Sequence, residues 1–326
     1  MPRPFHRSAR PARAALLSAA PAAALALALL AATPAVAVAP PLSDPRIVAH
    51  FDIAEHLQPE NIALEPDGSV DLTFSLARQV GRVGPDGRLT VLATLPAPEH
   101  PATPMLGAAV VSGLARAHDG TLYFTYATGT EDLTGLWRLC PGGEPERIAA
   151  FPADGLPNGL ALDEHAGVLY SADSVLGLVR AVPLDGGAPE VWSDDALLKP
   201  VTAFGANGLK VHHGAVWVGN TDTGSLLRIP VGPDGTAGPV EVRATGLDGF
   251  DDFAFVGAGD DVLATLNPSS EVVHLASDGT RHTVLDAADG LSNPTSVAIG
   301  GDTVYVPSAA FFTLADPNLL AATLER

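Results

Sequence analysis

Six times along this chain a polar residue opens a short apolar alternation: Glu60-Asn-Ile-Ala-Leu, Ser112-Gly-Leu-Ala-Arg, Asn158-Gly-Leu-Ala-Leu, Asn207-Gly-Leu-Lys-Val, Asp251-Asp-Phe-Ala-Phe and Thr295-Ser-Val-Ala-Ile. The openers stand 52, 46, 49, 44 and 44 residues apart. A recurrence of about 40–50 residues, with several short strands in each unit, restricts the chain to a repeat architecture and specifies the blade of a β-propeller. The innermost strands of a propeller surround one axis, so equivalent positions face a common point. The openers therefore form a polar column around a channel.

The rest of each unit supports an all-β reading. A turn such as Pro66-Asp67-Gly68, Asp119-Gly120 or His213-Gly214 leads into a second apolar strand, for example Leu72–Phe74, Leu122–Tyr126 or Val262–Leu266. A third strand with a basic or polar residue and a fourth, such as Leu89–Leu95 or Arg147–Phe151, complete the unit. Period-2 alternation between Asp-Gly and Gly-rich turns is hairpin chemistry, and no capped helical stripe interrupts it. The sixth unit lacks an obvious fourth strand. Arg46-Ile-Val-Ala-His-Phe51 resembles the fourth strand Arg147-Ile-Ala-Ala-Phe151, so residues 46–51 are expected to complete the last blade and close the ring. Closure removes the exposed edges and faces that an open array would leave. The fold expected is all-β: a six-bladed β-propeller in one domain, residues 38–326.

The front of the chain is of another kind. Arg3, Arg7, Arg10 and Arg13 precede an Ala/Leu run from Ala14 to Ala32, and Ala35-Val36-Ala37 fits a small-x-small cleavage site. Residues 1–37 read as a secretory signal peptide, with an uncleaved anchor as the alternative. The expected mature protein is secreted, without stable membrane insertion. Without those four Arg it carries 14 Lys+Arg against 37 Asp+Glu, a formal charge of −23. Such acidity argues against nucleic acid and anionic lipid as partners and suits a soluble secreted protein and a divalent cation; the partner expected is a small-molecule substrate. Cys140 is the single cysteine, so no intrachain disulfide forms; its setting reads as buried or edge-strand. His212-His213 reads as solvated beside a turn, and His274 and His282 as blade-surface residues.

Within the column, Glu60, Asn158, Asn207 and Asp251 present carboxylate and amide oxygens. An all-oxygen set suits a hard cation, Ca²⁺ first and Mg²⁺ second, and two carboxylates balance its charge. Zinc fits less well, since the column holds no His or Cys. At each position alone, capping of a local turn competes with ligation. Ser112 and Thr295 complete the wall. Asp173, with Asn220 and Asp222 placed similarly in the next blade, is the candidate for supporting the ligands or meeting substrate. The long segments Ala97–Val111, Ser193–Ala206 and Tyr126–Gly135 are expected around the mouth, where Met105, Phe204, Phe250, Phe311 and Phe312 suggest an apolar entrance.

The stretches Leu156-Pro-Asn158-Gly-Leu-Ala-Leu-Asp, Leu169-Tyr-Ser-Ala-Asp173-Ser and Ala206-Asn207-Gly-Leu resemble the gluconolactonase/senescence-marker-protein family, which includes regucalcin, lactonases and diisopropyl-fluorophosphatase. The resemblance implies a six-bladed propeller with a catalytic divalent cation, commonly Ca²⁺, held by Glu, Asn, Asn and Asp: here Glu60, Asn158, Asn207 and Asp251. It implies a metal-dependent lactonase or esterase in which Asp251, with Glu60, serves catalysis as nucleophile or general base. Two departures stand out. Asn61-Ile62 follows Glu60 where the family has Gly-Pro, and Asp252 follows Asp251 where it has Gly. The second leaves the ligand open between two neighbours, with repeat register favouring Asp251. The competing readings are a non-catalytic binding propeller and a metal-free enzyme like strictosidine synthase, which relies on a catalytic Glu.

Overall fold

A computed structural model of the chain describes residues 42–325. The signal peptide expected at residues 1–37 lies outside the described residues, as do 38–41 of the expected domain. Among the described residues no helix is long and apolar enough to cross a membrane.

The strands form six four-stranded sheets, five of them from consecutive strands. The sixth takes its strands Ala298–Gly300, Thr303–Ser308 and Asn318–Leu324 from the end of the described chain and its outermost strand, Leu42–His50, from the beginning. That outermost strand runs antiparallel to Asn318–Leu324, with Ile47 opposite Leu320. The expected closure is present, and the closing strand starts at Leu42 rather than Arg46. Pro45 fits there because one side of an outermost strand has no partner. Helix is confined to three single 3₁₀ turns among the described residues.

Apolar alternation packs each blade against the next. Val80 and Ala93 of blade 1 meet Phe124, Tyr126 and Trp137 of blade 2, while Trp217 of blade 4 meets Phe250 and Phe253 of blade 5. Phe250 is therefore a core residue rather than part of the entrance; it is fully buried. Three further expectations change. His274 is buried in the third strand of blade 5, its Nε2 3.3 Å from Asp261 Oδ2, because strand alternation turns it inward. Cys140 is exposed in the turn just past the third strand of blade 2. His212 is half-buried with its ring stacked on Phe255 at 3.7 Å, and only His213 is solvated.

One backbone device recurs in the innermost strands. In blades 1 to 5 the register slips where the polar opener stands: Val111 pairs with Tyr126 but Leu114 with Phe124, and Phe250 pairs with Leu266 but Phe253 with Ala264. Two residues therefore oppose one, which is a β-bulge, and a bulge re-aims the side chains it carries. The bulged pairs are Glu60/Asn61, Ser112/Gly113, Asn158/Gly159, Asn207/Gly208 and Asp251/Asp252.

The residue opposite the bulge is Thr73, Thr125 or Thr265 in blades 1, 2 and 5. Each hydroxyl accepts the N–H of the bulge's second residue, at 3.0, 2.8 and 3.1 Å from Asn61, Gly113 and Asp252. It then donates to the carbonyl of the next blade's opener, at 2.6 Å for Ser112 and 2.8 Å for Asn158, while the Thr265 hydroxyl is shared between the Asp252 carbonyl at 3.0 Å and that of Thr295 at 3.4 Å. Ser174, Thr221 and Thr295 make the equivalent reach to Ala206, Phe250 and Pro59 carbonyls at 2.9, 2.7 and 3.0 Å. Every junction in the ring is thus tied at channel depth by a side-chain hydroxyl.

Candidate metal centre and cavity

The bulges deliver the openers to one place. Glu60, Ser112, Asn158, Asn207 and Asp251 all line a single cavity of about 430 Å³ at one end of the channel. Asn267 and Thr221 join them on the polar side. Leu76, Leu106, Leu156, Phe204, Phe311 and Phe312 are among the apolar residues on the remaining walls.

Asp251 is held from both sides. Its Oδ1 accepts from Asn207 Nδ2 at 3.0 Å and its Oδ2 from Asn267 Nδ2 at 3.1 Å. Asn207 gives its other amide hydrogen to Thr221 Oγ1 at 2.9 Å. Both its donors are then in use, and only the amide oxygen remains for a ligand. Burial, then the charges of Glu60 and Asp252, drive the Asp251 carboxyl well above the usual range, against the two amide hydrogen bonds. Glu60 is pushed up to about 8, by burial first and then by Asp252.

Asp252 lies in a different setting. The second member of the bulge points away from the cavity, where Lys210 Nζ reaches both carboxylate oxygens at 2.6 and 2.7 Å. Ser296 Oγ and Asn61 Nδ2 donate to Oδ2 at 2.6 and 3.2 Å. In blades 2 to 4 the same bulge position is Gly113, Gly159 or Gly208. A Cβ on any of these would collide with the backbone of the next blade's opener, and at Gly208 also with Asp252 Oδ1. The inner ring closes on glycine in one half and on the Asn61–Asp252–Ser296–Lys210 cluster in the other.

The cavity residues fit a divalent cation. Glu60 Oε2 is buried with no hydrogen-bond partner. No Lys, Arg or His lines the cavity, so Glu60 and Asp251 face each other's charge without compensation from its walls. A buried carboxylate oxygen without a donor is strongly unfavourable unless a cation or a proton meets it. The donors available are carboxylate and amide oxygens, which suit a hard ion.

The other candidates take separate places. Ser112 lines the cavity, whereas Thr295 is buried behind it in its bond to the Pro59 carbonyl. Asp173 does not line it. One of its oxygens, Oδ1, accepts the N–H groups of Leu156, Val175 and Leu176 at 3.0, 3.2 and 2.9 Å, and the other meets Arg180 Nη1 at 2.8 Å. It thereby shapes the turn that presents Leu156. Asn220 Nδ2 likewise donates to the Leu197 and Lys199 carbonyls, at 2.9 and 3.1 Å. Asp222 Oδ2 gathers the N–H groups of Val201, Thr202 and Ala203 at 2.8, 2.6 and 2.8 Å, fixing the segment that carries Phe204. Burial works to raise the Asp222 carboxyl, but backbone N–H donors outweigh it and bring the group down to about 2.

The cavity's Ser75, Thr221 and Asn267 were not singled out from sequence. Each stands immediately after the second strand of its blade, one position beyond Phe74, Asn220 and Leu266. Adjacent strand residues face opposite ways, so a one-residue step exchanges wall for support. The signal was a polar residue ending that strand in several units.

No family model matches the sequence, and no curated protein matches it. Solved structures do share the fold. A calcium-binding protein, regucalcin, from Agrobacterium tumefaciens superposes with TM-score 0.64 at 18% identity, over 89% of this chain and 98% of that one. A gluconolactonase from Xanthomonas campestris gives 0.59 at 17% identity, over 89% and 99%. Virginiamycin B lyase from Staphylococcus aureus gives 0.57 at 15% identity, over 86% and 100%. The likeness read from the motifs holds at the level of architecture: this chain is a six-bladed β-propeller whose structural neighbours include a regucalcin and a gluconolactonase.

Proposed function

We propose that this chain is a secreted, divalent-cation-dependent hydrolase of a lactone or related ester, with Ca²⁺ as the preferred ion. Glu60, Asn158, Asn207 and Asp251 would hold the ion. The observation that carries the reading is the meeting of these four residues on one cavity, with Glu60 Oε2 buried and unpartnered there. When bound, the cation supplies Lewis-acid polarisation of the substrate carbonyl.

The chain's own part centres on Asp251. The amides of Asn207 and Asn267 hold its carboxylate in one orientation while leaving each oxygen a further lone pair. A carboxylate so held is placed to accept a proton from the attacking water. In the hydrolysis, a water oxygen adds to the carbonyl carbon and gives one proton to Asp251. The ring C–O bond then breaks, and that proton passes to the departing alkoxide to leave a hydroxy acid. The apolar walls keep bulk water from the developing charge. The regucalcin and gluconolactonase likenesses support this choice among propeller functions, and the basic, apolar leader supports export.

A panel of lactones and phosphotriesters, assayed with Ca²⁺ and with a chelator, tests the proposal. Lactone turnover abolished by chelator and restored by Ca²⁺ is expected. Turnover that ignores the chelator would favour the metal-free, Glu-dependent alternative.

A further inference from the structure

We propose that the substrate is an uncharged lactone or ester carrying an apolar arm, and that the loop following blade 1 and the loop between Thr303–Ser308 and Asn318–Leu324 of blade 6 form the seat for that arm. This rests on the hydrolase reading and narrows it. The cavity lining is of two kinds: oxygen-bearing groups around Glu60 and Asp251, and an apolar set of Leu76, Leu106, Leu156, Phe204, Phe311 and Phe312. Apolar surface continues outward, with Leu106 48% and Phe312 68% exposed beside the exposed Met105 and Leu314. Single exposed apolar residues are ordinary, but these belong to two loops that share one opening. No Lys, Arg or His among the lining residues offers a substrate carboxylate or phosphate a cationic side chain along the arm's seat.

Ser75, Ser112 and Asn158 offer polar atoms to a polyhydroxylated lactone, but the donors of Asn207, Thr221 and Asn267 are already engaged. Thr221 Oγ1 donates to the Phe250 carbonyl and accepts from Asn207. Asn267 Nδ2 is engaged by Asp251 and by the Asn293 and Pro294 carbonyls. Sugar hydroxyls entering the cavity would lose water and meet mostly hydrocarbon, a penalty each must bear separately. An alkyl or aryl arm gains from the same walls, and the Phe204 wall is firm because Asp222 anchors its loop.

The test is a γ-lactone series from butyrolactone to dodecalactone set beside D-glucono-δ-lactone, with Ca²⁺ present. Binding of the matching unreactive γ-lactams is followed by calorimetry. We expect kcat/KM and lactam affinity to rise about three- to fourfold per methylene until the cavity fills, with gluconolactone below the mid-length members. Lactam binding should also carry a negative heat-capacity change. Phe312→Ser and Leu106→Ser should flatten the rise in both readouts. A flat series, or preference for gluconolactone, would overturn the proposal. Graded lactam binding without turnover of any lactone would uphold the apolar seat while removing the hydrolase reading. Turnover without a chain-length trend would do the reverse.

Discussion

The cavity floor and the cluster behind it are made from the same bulge, and Asp251 and Asp252 are its two faces. Asp251 meets two neutral amides and another acid; Asp252 meets a lysine, a hydroxyl and an amide. One carboxylate meets no cationic side chain in the cavity lining, and the other is paired with Lys210. Adjacent residues of identical chemistry thus separate into a cavity-lining group and a structural one. The bulge is the cause, because it turns consecutive side chains to different depths of one channel. Of the two aspartates, Asp251, the residue favoured by repeat register, lines the cavity.

If the contrast is sound, equal substitutions on its two sides should act oppositely. Asp251→Asn should lower kcat/KM about a thousandfold, comparable to removing a main electrostatic group from an active site. It should leave the cation-free protein as stable as before or more so, because one of two repelling buried acids is gone. Activity assays with thermal melts in chelator check both halves. Lys210→Met should do the reverse and lower unfolding free energy by about 3–5 kcal/mol, since Asp252 would stay buried without its ion pair. Denaturant titration measures it, and an unchanged midpoint would mean that the cluster is not the buttress described.

A subtler effect comes from pH. In the cation-free fold Glu60 titrates at about 8, above its ordinary 4.5, so the folded chain keeps a proton that the unfolded chain releases. Stability of the chelated protein should therefore fall as pH rises from 4.5 through about 8, on the order of 5 °C in Tm. Saturating Ca²⁺ should remove that fall, because a bound cation favours the ionised carboxylate. Melting curves across this range, with and without Ca²⁺, show whether the two slopes diverge. The smallest effect expected is from Thr125→Val, which leaves the Gly113 N–H and Asn158 carbonyl without their shared hydroxyl. A loss of about 1–2 kcal/mol follows, read from the same denaturant titration.

Repeat spacing made the architecture legible, because a blade cannot bury its faces alone and must recur. It located four oxygen donors on one cavity because openers in register share an axis. What it missed follows from one-residue geometry. Asp173 and Asn220 looked like site residues, but strand alternation turns them to support loops, and in blade 4 the cavity goes to Thr221, one step after Asn220. His274 looked exposed for the same reason, since nothing local says which face of a third strand turns inward. The Asn61–Asp252–Ser296–Lys210 cluster joins residues up to 235 positions apart and is visible only once the ring is closed.

The central claim is that Glu60 and its three companions await a cation. Calorimetric titration of Ca²⁺ into chelator-stripped protein tests it most directly, with Glu60→Gln as comparison. One ion per chain, bound with a rise in Tm and weakened at least about a hundredfold by the substitution, is the result predicted. No binding heat and no shift in Tm, or binding that Glu60→Gln leaves intact, would contradict it.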